Sequence, residues 1–358
     1  MNRKYVYDIV IEGDNLTSAT LAYFLSLNYK NRSIALIQRE DIPNRSFFTS
    51  NIITPIFELP DEHMSNVFKN SKEKLKEIHS ISGHFEYSQL SLILLYKELE
   101  MQEIRKNHMK KLEDSEIRHK HFTNEETVEY YPFITSQEEI KITEIYETFT
   151  CSDINDLIVV FQKLAEENEA EIIKNVNKID FYEKEGILET EDNAFIPNEF
   201  LIITSPGFNT LRSIVEHQIL RVTTPILENF PRVNLIDVDT QTHMWLEESG
   251  YFQIFRVFNE KEEKQCFKQV KDNFKRLFPM IGVLQTIDSN FTNLKINKSL
   301  EKSIGSFDSS NTYYFHIPVH SELSVIPSIA EKFSHLQMEN ENNFLTDISL
   351  DRILNFKK

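Results

Sequence analysis

The stretch "YVYDIVIEGDNLTSATLAYFL", from Tyr5 to Leu25, decides the fold. Its apolar first half predicts a buried strand over residues 5–12, and the helical spacing that follows Gly13 predicts a helix over residues 16–28. The next apolar run, "SIALIQRED" from Ser33 to Asp41, predicts a second buried strand. A strand, a helix and a strand in such close succession predict a βαβ unit with a parallel strand pair.

The turn between this strand and helix has lost most of its glycines. A dinucleotide-binding turn has glycine at its first, third and sixth positions, and here Gly13 is followed by Asn15 and Ser18 at the other two. Asn15 tolerates a positive φ angle, but its side chain points towards the place of a phosphate. Asp14 suits the positive end of a helix dipole and repels a pyrophosphate. The sequence therefore predicts that the turn forms and that it binds phosphate poorly.

Composition limits the classes of function. The 358 residues include 39 basic and 56 acidic side chains, a net charge of −17, which argues against nucleic acid or an anionic membrane as the main partner. Glycine occurs 7 times, about 2% of the chain, against a usual share of about 7%. Nucleotide-binding enzymes use glycine where backbone must approach phosphate closely, so this scarcity is unusual for that class.

Cysteine and histidine positions give no sign of a disulfide or of a metal site. Cys151 and Cys266 are far apart in the sequence and are expected to be reduced thiols. The pair His119 and His121, and the two cysteines, lack the spacing of metal ligands. The sequence starts directly with a predicted strand and has no apolar run long enough to cross a bilayer, which predicts a cytoplasmic protein.

Several later elements can also be predicted. Thr123 or Asn124 is expected to cap a short helix that ends at Pro132, and Asn155 to cap a longer one. Residues 223–259 have the pattern of a strand-rich region, and a final helix is expected from about Pro327.

The order of these elements, with their residues, resembles the D-amino-acid oxidase family of flavoproteins, which includes glycine and sarcosine oxidases. The likeness is carried by six segments: "YDIVIEGDNLTSATLAYFL", "ALIQRE", "RSFFTSNIITPI", "HFTNEETVEYYPFI", "TCSDINDLIVVFQKLAEENEAEII" and the closing block "EKSIGSFDSSNTYYFHIPVHSELSVIPSIAEKF". In the closing block, Gly305, Asn311, Tyr313 and Pro327 match the family pattern. The resemblance implies an α/β fold, in which an FAD-type Rossmann layer with a parallel sheet is interleaved with an antiparallel, strand-rich second domain.

The resemblance also implies how the chain divides. Residues 1–84, 145–222 and 297–358 are expected to form a discontinuous Rossmann-like domain of the FAD type. Residues 85–144 and 223–296 are expected to form a discontinuous substrate-type antiparallel domain.

The cofactor that the resemblance implies is FAD, and its binding positions can be carried over residue by residue. These positions are Gly13, Asn15, Leu16, Thr17, Ser18, Gln38, Arg39, Ser50, Asn51, Val176, Thr204, Ser205 and Gly207. Two departures stand out. Gln38 replaces the ribose-binding carboxylate, and "IPVHSE" replaces the glycine-rich closing turn, so that Pro318, Val319 and Glu322 are expected to crowd the flavin ring.

No catalytic residue is fixed by the resemblance. The family holds a substrate carboxylate with an arginine before the closing block, where this chain offers Lys295. Tyr313, His316 and His320 are expected to line the mouth of the site and are candidates for acid–base work.

Two functions from different classes follow. One is a divergent FAD-dependent oxidoreductase that acts on a small amine or amino-acid substrate, with flavin binding weak or lost. The other is a non-catalytic pseudo-oxidoreductase that serves as a scaffold or as the partner subunit of another protein. A lesser alternative is binding of a bare nucleotide in the remaining cleft.

Overall fold

The structure is a computed structural model. It describes residues 3–39, 50–54, 61–97, 102–114, 116–134, 140–151, 153–205, 214–225, 230, 232–247, 250–259, 262–279, 281, 284–297, 304–307, 311–319, 321–339, 349 and 352–353.

The described residues form strands and helices in an alternating order. The elements are β1 Arg3–Glu12, α1 Leu16–Asn28, β2 Ile34–Arg39, β3 Ile52–Ile53, α2 Asp61–Ser82, β4 Tyr87–Lys97, α3 Gln102–Asp114, β5 His119–Phe122, α4 Asn124–Tyr130, β6 Ile140–Cys151, α5 Ile154–Glu167, β7 Glu171–Val176, β8 Asp180–Tyr182, β9 Ile187–Glu189, β10 Asn193–Ile203, β11 Ile214–Pro225, β12 Asn234–Asp237, β13 Thr242–Leu246, β14 Tyr251–Asn259, α6 Glu263–Leu277, β15 Asp288–Asn297, β16 Ile304–Ser306, β17 Thr312–Phe315 and α7 Glu322–Glu339.

The first sheet has the strand order β16-β17-β10-β1-β2-β7. Its central strands run parallel, from β17 through β10, β1 and β2 to β7, and β16 is antiparallel to β17 at one edge. The short strands β8 and β9 extend β10 as an antiparallel hairpin. β1 and β2 are joined through α1, so the βαβ unit predicted from the first 41 residues is present.

The second sheet has the order β15-β11-β14-β13-β12-β4-β6-β3, with β5 paired to β6. Its strands are antiparallel except for the pair β12 and β4. The predicted fold class is therefore confirmed: a parallel, Rossmann-type sheet is interleaved along the chain with an antiparallel one.

The two sheets share a hydrophobic core. One continuous cluster contains Leu36 and Ile202 from the first sheet together with Phe149, Trp245 and Phe255 from the second. Helix α1 packs against α5 and α7 and is buried along nearly its whole length, and its hydroxyl residues Thr17, Ser18, Thr20 and Ser26 are buried with its apolar ones. A second cluster lies between the other face of the antiparallel sheet and α6.

Element boundaries agree with the sequence predictions in part. Thr123 caps α4, as predicted. The cap of α5 is Asp153 rather than Asn155, because the Asp153 carboxylate accepts the N–H of Asn155 at 2.7 Å. Helix α7 starts at Glu322 and not near Pro327, since the carbonyl of Ser321 already accepts helical hydrogen bonds.

The boundaries of the two predicted domains stay a prediction. The expected boundaries at residues 145 and 222 fall inside β6 and β11, and both strands pair within the second sheet along their whole length. No helix among the described residues is both long and apolar enough to cross a membrane.

Candidate functional site

Most of the predicted cofactor positions meet at one edge of the parallel sheet. The strands β2, β1, β10 and β17 end there side by side, and ligands of doubly wound folds bind at the carboxyl ends of such strands. The residues that the strand ends bring together are Gly13, Asn15, Leu16, Thr17, Ser18, Gln38, Arg39, Thr204, Ser205 and His316. Val176 lies opposite Arg39 in the β2–β7 ladder. Gly207 and His320 lie outside the described residues.

The tight turn after β1 explains why one glycine remains. Gly13 has a φ angle of 146°, and a Cβ atom on it would lie 1.9 Å from Oγ1 of Thr204. The Thr204 hydroxyl donates to the carbonyl of Glu12 at 2.9 Å and lies 3.2 Å from Oδ1 of Asn15. A side chain at position 13 would therefore break the contact between the turn and the end of β10.

The first turn of α1 is capped by its own side chains. The N–H of Ser18 donates to Oδ1 of Asn15 at 2.8 Å, and the N–H of Asn15 donates to Oγ of Ser18 at 3.2 Å. This is a capping box, in which two residues satisfy each other's backbone N–H groups. The two positions where glycine is missing thus hold the residues that close the helix end.

A carboxylate from the other end of the chain completes this closure. Oε1 of Glu322, the first residue of α7, accepts the N–H of Thr17 at 3.0 Å and its hydroxyl at 2.6 Å. Glu322 is 3% exposed. Its negative charge lies at the positive end of the α1 dipole, which is a favourable place for an anion. The prediction that Glu322 crowds the flavin ring stays a prediction, and the contact that the structure shows is with the first turn of α1.

The strand ends on either side of the turn are also tied together by polar contacts. Nε2 of Gln38, at the ribose position, donates to Oδ1 of Asp14 at 3.1 Å. Burial raises the pKa of the Asp14 carboxyl, and the positive charge of Lys174 partly opposes this. The buried Glu12 accepts the N–H of Ser205 at 3.2 Å on one oxygen. Its other oxygen lies 4.0 Å from the guanidinium of Arg39.

Ser50 and Asn51 connect the two layers. The N–H of Ser50 donates to the carbonyl of Val319 at 3.1 Å, and its hydroxyl lies 2.8 Å from Nδ1 of His243 on β13. The side-chain amide of Asn51 donates to the carbonyl of Cys151 at 2.9 Å. The closing turn of the first layer and the antiparallel sheet therefore meet directly at Ser50. His243 was not among the residues singled out from the sequence.

The predicted catalytic candidates are dispersed. Tyr313 is 0% exposed and lies between the rings of Phe200 and Phe333, at centroid distances of 5.5 and 5.8 Å, so it is a core residue rather than a residue of the site mouth. Burial raises the pKa of its hydroxyl. His316 is buried, with Nε2 3.1 Å from the carbonyl of Ser205. Lys295 lies on β15, opposite Glu216 on β11.

Sequence reasoning missed an arginine on the antiparallel sheet. The guanidinium of Arg221, on β11, lies 5.3 Å from the ring of Trp245, and its Nε donates to Gln253 at 3.2 Å. Glu247 lies 3.5 Å away, and burial lowers the pKa of Arg221. Trp245 belongs to the cluster shared with the first sheet, so this group lies on the inner face. The signal in the sequence is an arginine between Leu220 and Val222 in an apolar strand.

Comparison with known proteins gives a likeness in structure only. No protein-family model matches the sequence, and no curated protein matches it. The L-proline dehydrogenase of P. horikoshii superposes with a TM-score of 0.77 at 17% identity, over 97% of this chain and 96% of that one. The glycine oxidase of Geobacillus kaustophilus superposes with a TM-score of 0.77 at 13% identity, over 95% and 97% of the two chains.

A further structural neighbour has FAD bound. It is the L-α-glycerophosphate oxidase of Mycoplasma pneumoniae, with a TM-score of 0.72 at 11% identity over 94% of this chain and 95% of that one. Coverage of nearly the full length in all three cases leaves no large element of the fold unmatched. The chain therefore has the fold of these oxidoreductases, as its resemblance to the D-amino-acid oxidase family implied.

Proposed function

We propose that this chain is a non-catalytic relative, in fold, of amine and amino-acid oxidoreductases, and that it acts as a scaffold or partner subunit without flavin. The observation that carries the proposal is the Glu322 carboxylate on the N–H and hydroxyl of Thr17.

The residues at this helix end do not fit a pyrophosphate. A helix N-terminus binds phosphate through backbone N–H groups that have no other partner, with help from the helix dipole. Here the N–H groups of Asn15, Thr17 and Ser18 are all bonded within the chain. A pyrophosphate would have to displace the Glu322 carboxylate or lie beside its negative charge, and both arrangements are unfavourable.

The remaining cofactor positions agree with this proposal. Gln38 and Asp14 are bonded to each other, so the ribose position is engaged within the chain. Ser50 contacts both His243 and Val319, a residue expected beside the flavin ring, and so brings the two layers together there. Val319 is buried, as are Ser205 and His316 at the neighbouring strand ends. A protein that keeps the scaffold and bonds its cofactor positions within the chain can serve as a scaffold or partner subunit without flavin, because activity depends on the site and not on the fold.

The second candidate is a divergent FAD-dependent oxidoreductase for a small amine or amino acid. Arg221 favours it, because a buried guanidinium next to an aromatic ring is suited to hold a substrate carboxylate. Glu247 already lies 3.5 Å from this guanidinium and partly neutralises it. If flavin were held, it would supply the oxidation of the carbon–nitrogen bond, while Arg221 would orient the substrate.

The test is to purify the protein from cells supplied with riboflavin and to measure its flavin content by visible absorption and by release on denaturation. The M. pneumoniae L-α-glycerophosphate oxidase, handled in parallel, is the control for flavin retention. We expect colourless protein that stays flavin-free after incubation with FAD and gel filtration, and no reduction of a dye acceptor with glycine, proline or other amino acids. Stoichiometric flavin, or turnover of any amine, would overturn the proposal.

A further inference from the structure

A group of metal-binding side chains lies on the antiparallel sheet, away from the cofactor positions. Glu113 in the last turn of α3 and the two histidines of β5, His119 and His121, have ligand atoms that all lie within 4.8 Å of one another. The spacing of His119 and His121 gives no sign of a metal site in the sequence alone, but alternate residues of a strand point to the same side, and the two imidazole rings are 4.9 Å apart. The N–H of Ile117 donates to the carbonyl of Leu112, which folds the end of α3 back beside β5.

Hydrogen bonds fix the tautomer of His119. Its Nδ1 lies 2.6 Å from the carbonyl oxygen of Ile117. A carbonyl oxygen only accepts hydrogen bonds, so Nδ1 carries the proton and Nε2 of the neutral ring carries the lone pair.

The same reasoning applies to His121. Its Nδ1 lies 3.1 Å from Oγ1 of Thr143, the residue opposite it on β6. The Thr143 hydroxyl donates to the sulfur of Met109 at 3.8 Å, so its oxygen is left to accept the proton of Nδ1. Nε2 of His121 is shielded from solvent and has no hydrogen-bond partner among the described residues. A buried, unpaired nitrogen lone pair beside a second imidazole is the arrangement that a metal ion satisfies.

We infer that Glu113, His119 and His121 bind a divalent zinc-class cation through the two Nε2 atoms and the carboxylate, with water as the fourth ligand. Zinc bonds of about 2.0–2.1 Å place tetrahedral ligands about 3.3 Å apart, so the atoms must approach one another by up to about 1.5 Å. Glu113 is exposed and can make most of that movement. The Nδ1 contacts with Ile117 and Thr143 are those that orient histidine ligands in zinc sites.

The charges around the cluster affect how tightly it is expected to bind a cation. Arg105 and Lys141 line a surface cavity together with His121. These two cations oppose a bound cation, and the Glu113 carboxylate offsets only part of this effect. We therefore expect a site weaker than one with four protein ligands.

The bound ion would join the end of α3 to β5. This role needs neither flavin nor turnover, so the inference is independent of the proposed function.

The experiment is a titration of protein that has been dialysed against a chelator. Isothermal calorimetry with zinc chloride measures the stoichiometry, and the visible absorption of added Co²⁺ reports tetrahedral nitrogen and oxygen ligands. We expect one equivalent per chain, and at least about tenfold weaker binding in His121→Ala and in Glu113→Gln. His84→Ala, a change of an exposed histidine outside the cluster, is the matched control and is expected to bind as wild type does.

A fourth variant tests the orientation of the ring. Thr143→Val removes the acceptor of the Nδ1 proton and is expected to weaken zinc binding by about 10- to 100-fold without removing a ligand. Glu113→Gln alters an exposed side chain, so it is expected to fold. It therefore still tests the proposed site if His121→Ala does not fold. The inference is wrong if wild type binds neither Zn²⁺ nor Co²⁺, or if Glu113→Gln and His121→Ala bind like His84→Ala.

Discussion

The carboxylate of Glu322 lies where a phosphate-binding helix presents free N–H groups. It is almost completely buried, and both of its hydrogen bonds to Thr17 are made by one oxygen. Charge-assisted bonds of this kind are stronger than neutral ones and gain further from the helix dipole. At the residue scale, one side chain therefore contributes to the stability of the helix end and, in the function that we propose, takes the place of a bound anion.

Neutralising Glu322 tests this contribution. Glu322→Gln keeps the shape and loses the charge, and we expect it to lower the free energy of unfolding by about 1–2 kcal/mol. Glu322→Ala also leaves the N–H of Thr17 without its acceptor, so a loss of about 2–3 kcal/mol is expected. Urea denaturation followed by circular dichroism measures both values.

Glu73→Gln is the matched control, because Glu73 is an exposed residue within α2. Its change is expected to stay within about 0.5 kcal/mol of wild type. Equal effects at positions 73 and 322 would mean that the Glu322 contact contributes nothing to stability.

Asp14 gives a prediction about pH. Burial raises the pKa of its carboxyl in the folded state, so the charged form is disfavoured by folding. The contribution of Asp14 to the free energy of unfolding is therefore fully present below its unfolded pKa. It is lost as the pH rises through the pKa of the folded state. Asp14→Asn removes this titration and can still accept from Gln38.

We expect Asp14→Asn to be more stable than wild type at pH 7, with the difference disappearing in acid where both side chains are neutral. Urea denaturation between acid and pH 7 measures the difference in the free energy of unfolding between the two proteins. Because the other groups titrate in both proteins, their effects cancel in this difference. A variant that is less stable than wild type at pH 7 would show that the Asp14 charge is stabilising instead.

At the scale of elements, the β1–α1 turn is fixed by its fit to β10. Gly13→Ala would combine a φ angle of 146° with a Cβ atom 1.9 Å from Thr204. We expect a loss of about 2–5 kcal/mol from backbone strain and overpacking together. Gly83→Ala also has a positive φ, 61°, but meets nothing within 4 Å, so about 1 kcal/mol is expected there.

Thermal and urea unfolding of the two alanine variants check this difference. A similar loss at positions 13 and 83 would mean that the contact with Thr204 is relaxed in solution and that conformation alone accounts for both effects.

The same turn illustrates what the sequence could predict and what it could not. The strand and the helix are local properties that a short stretch predicts, and the capping box of Asn15 and Ser18 is equally local but was not predicted. Glu322 is 305 residues from Thr17 in the chain, so its place on the helix end depends on how α7 packs against α1. Pro327 misled the prediction of the α7 start, because proline is usually found in the first turn of a helix and here it lies deeper.

At the scale of the whole molecule, the two sheets share one core. Trp245 and Phe255 from the antiparallel sheet belong to the same cluster as Leu36 and Ile202 from the parallel sheet. A shared core of this kind favours unfolding as one cooperative unit. The order of the segments along the chain was enough to predict the interleaved fold, whereas contacts across the layers, such as that of Ser50 with His243, join residues that are distant in sequence.

We expect the whole chain to unfold in one transition. Trp245 is the only tryptophan and is 0% exposed on the second sheet, so its fluorescence reports that sheet, while far-ultraviolet circular dichroism reports the whole molecule. The two probes should give coincident curves in urea. Two separated transitions would show that the layers are independent domains despite their common cluster.

The most direct test of the claim that Glu322 has taken the place of the pyrophosphate is a crystal structure of the wild-type protein grown with a saturating concentration of FAD. We predict electron density for the Glu322 carboxylate within hydrogen-bond distance of the N–H and hydroxyl of Thr17, and no dinucleotide along the strand ends. A dinucleotide whose phosphates accept from the first turn of α1, with Glu322 turned away, would contradict the claim and restore the oxidoreductase as the leading candidate.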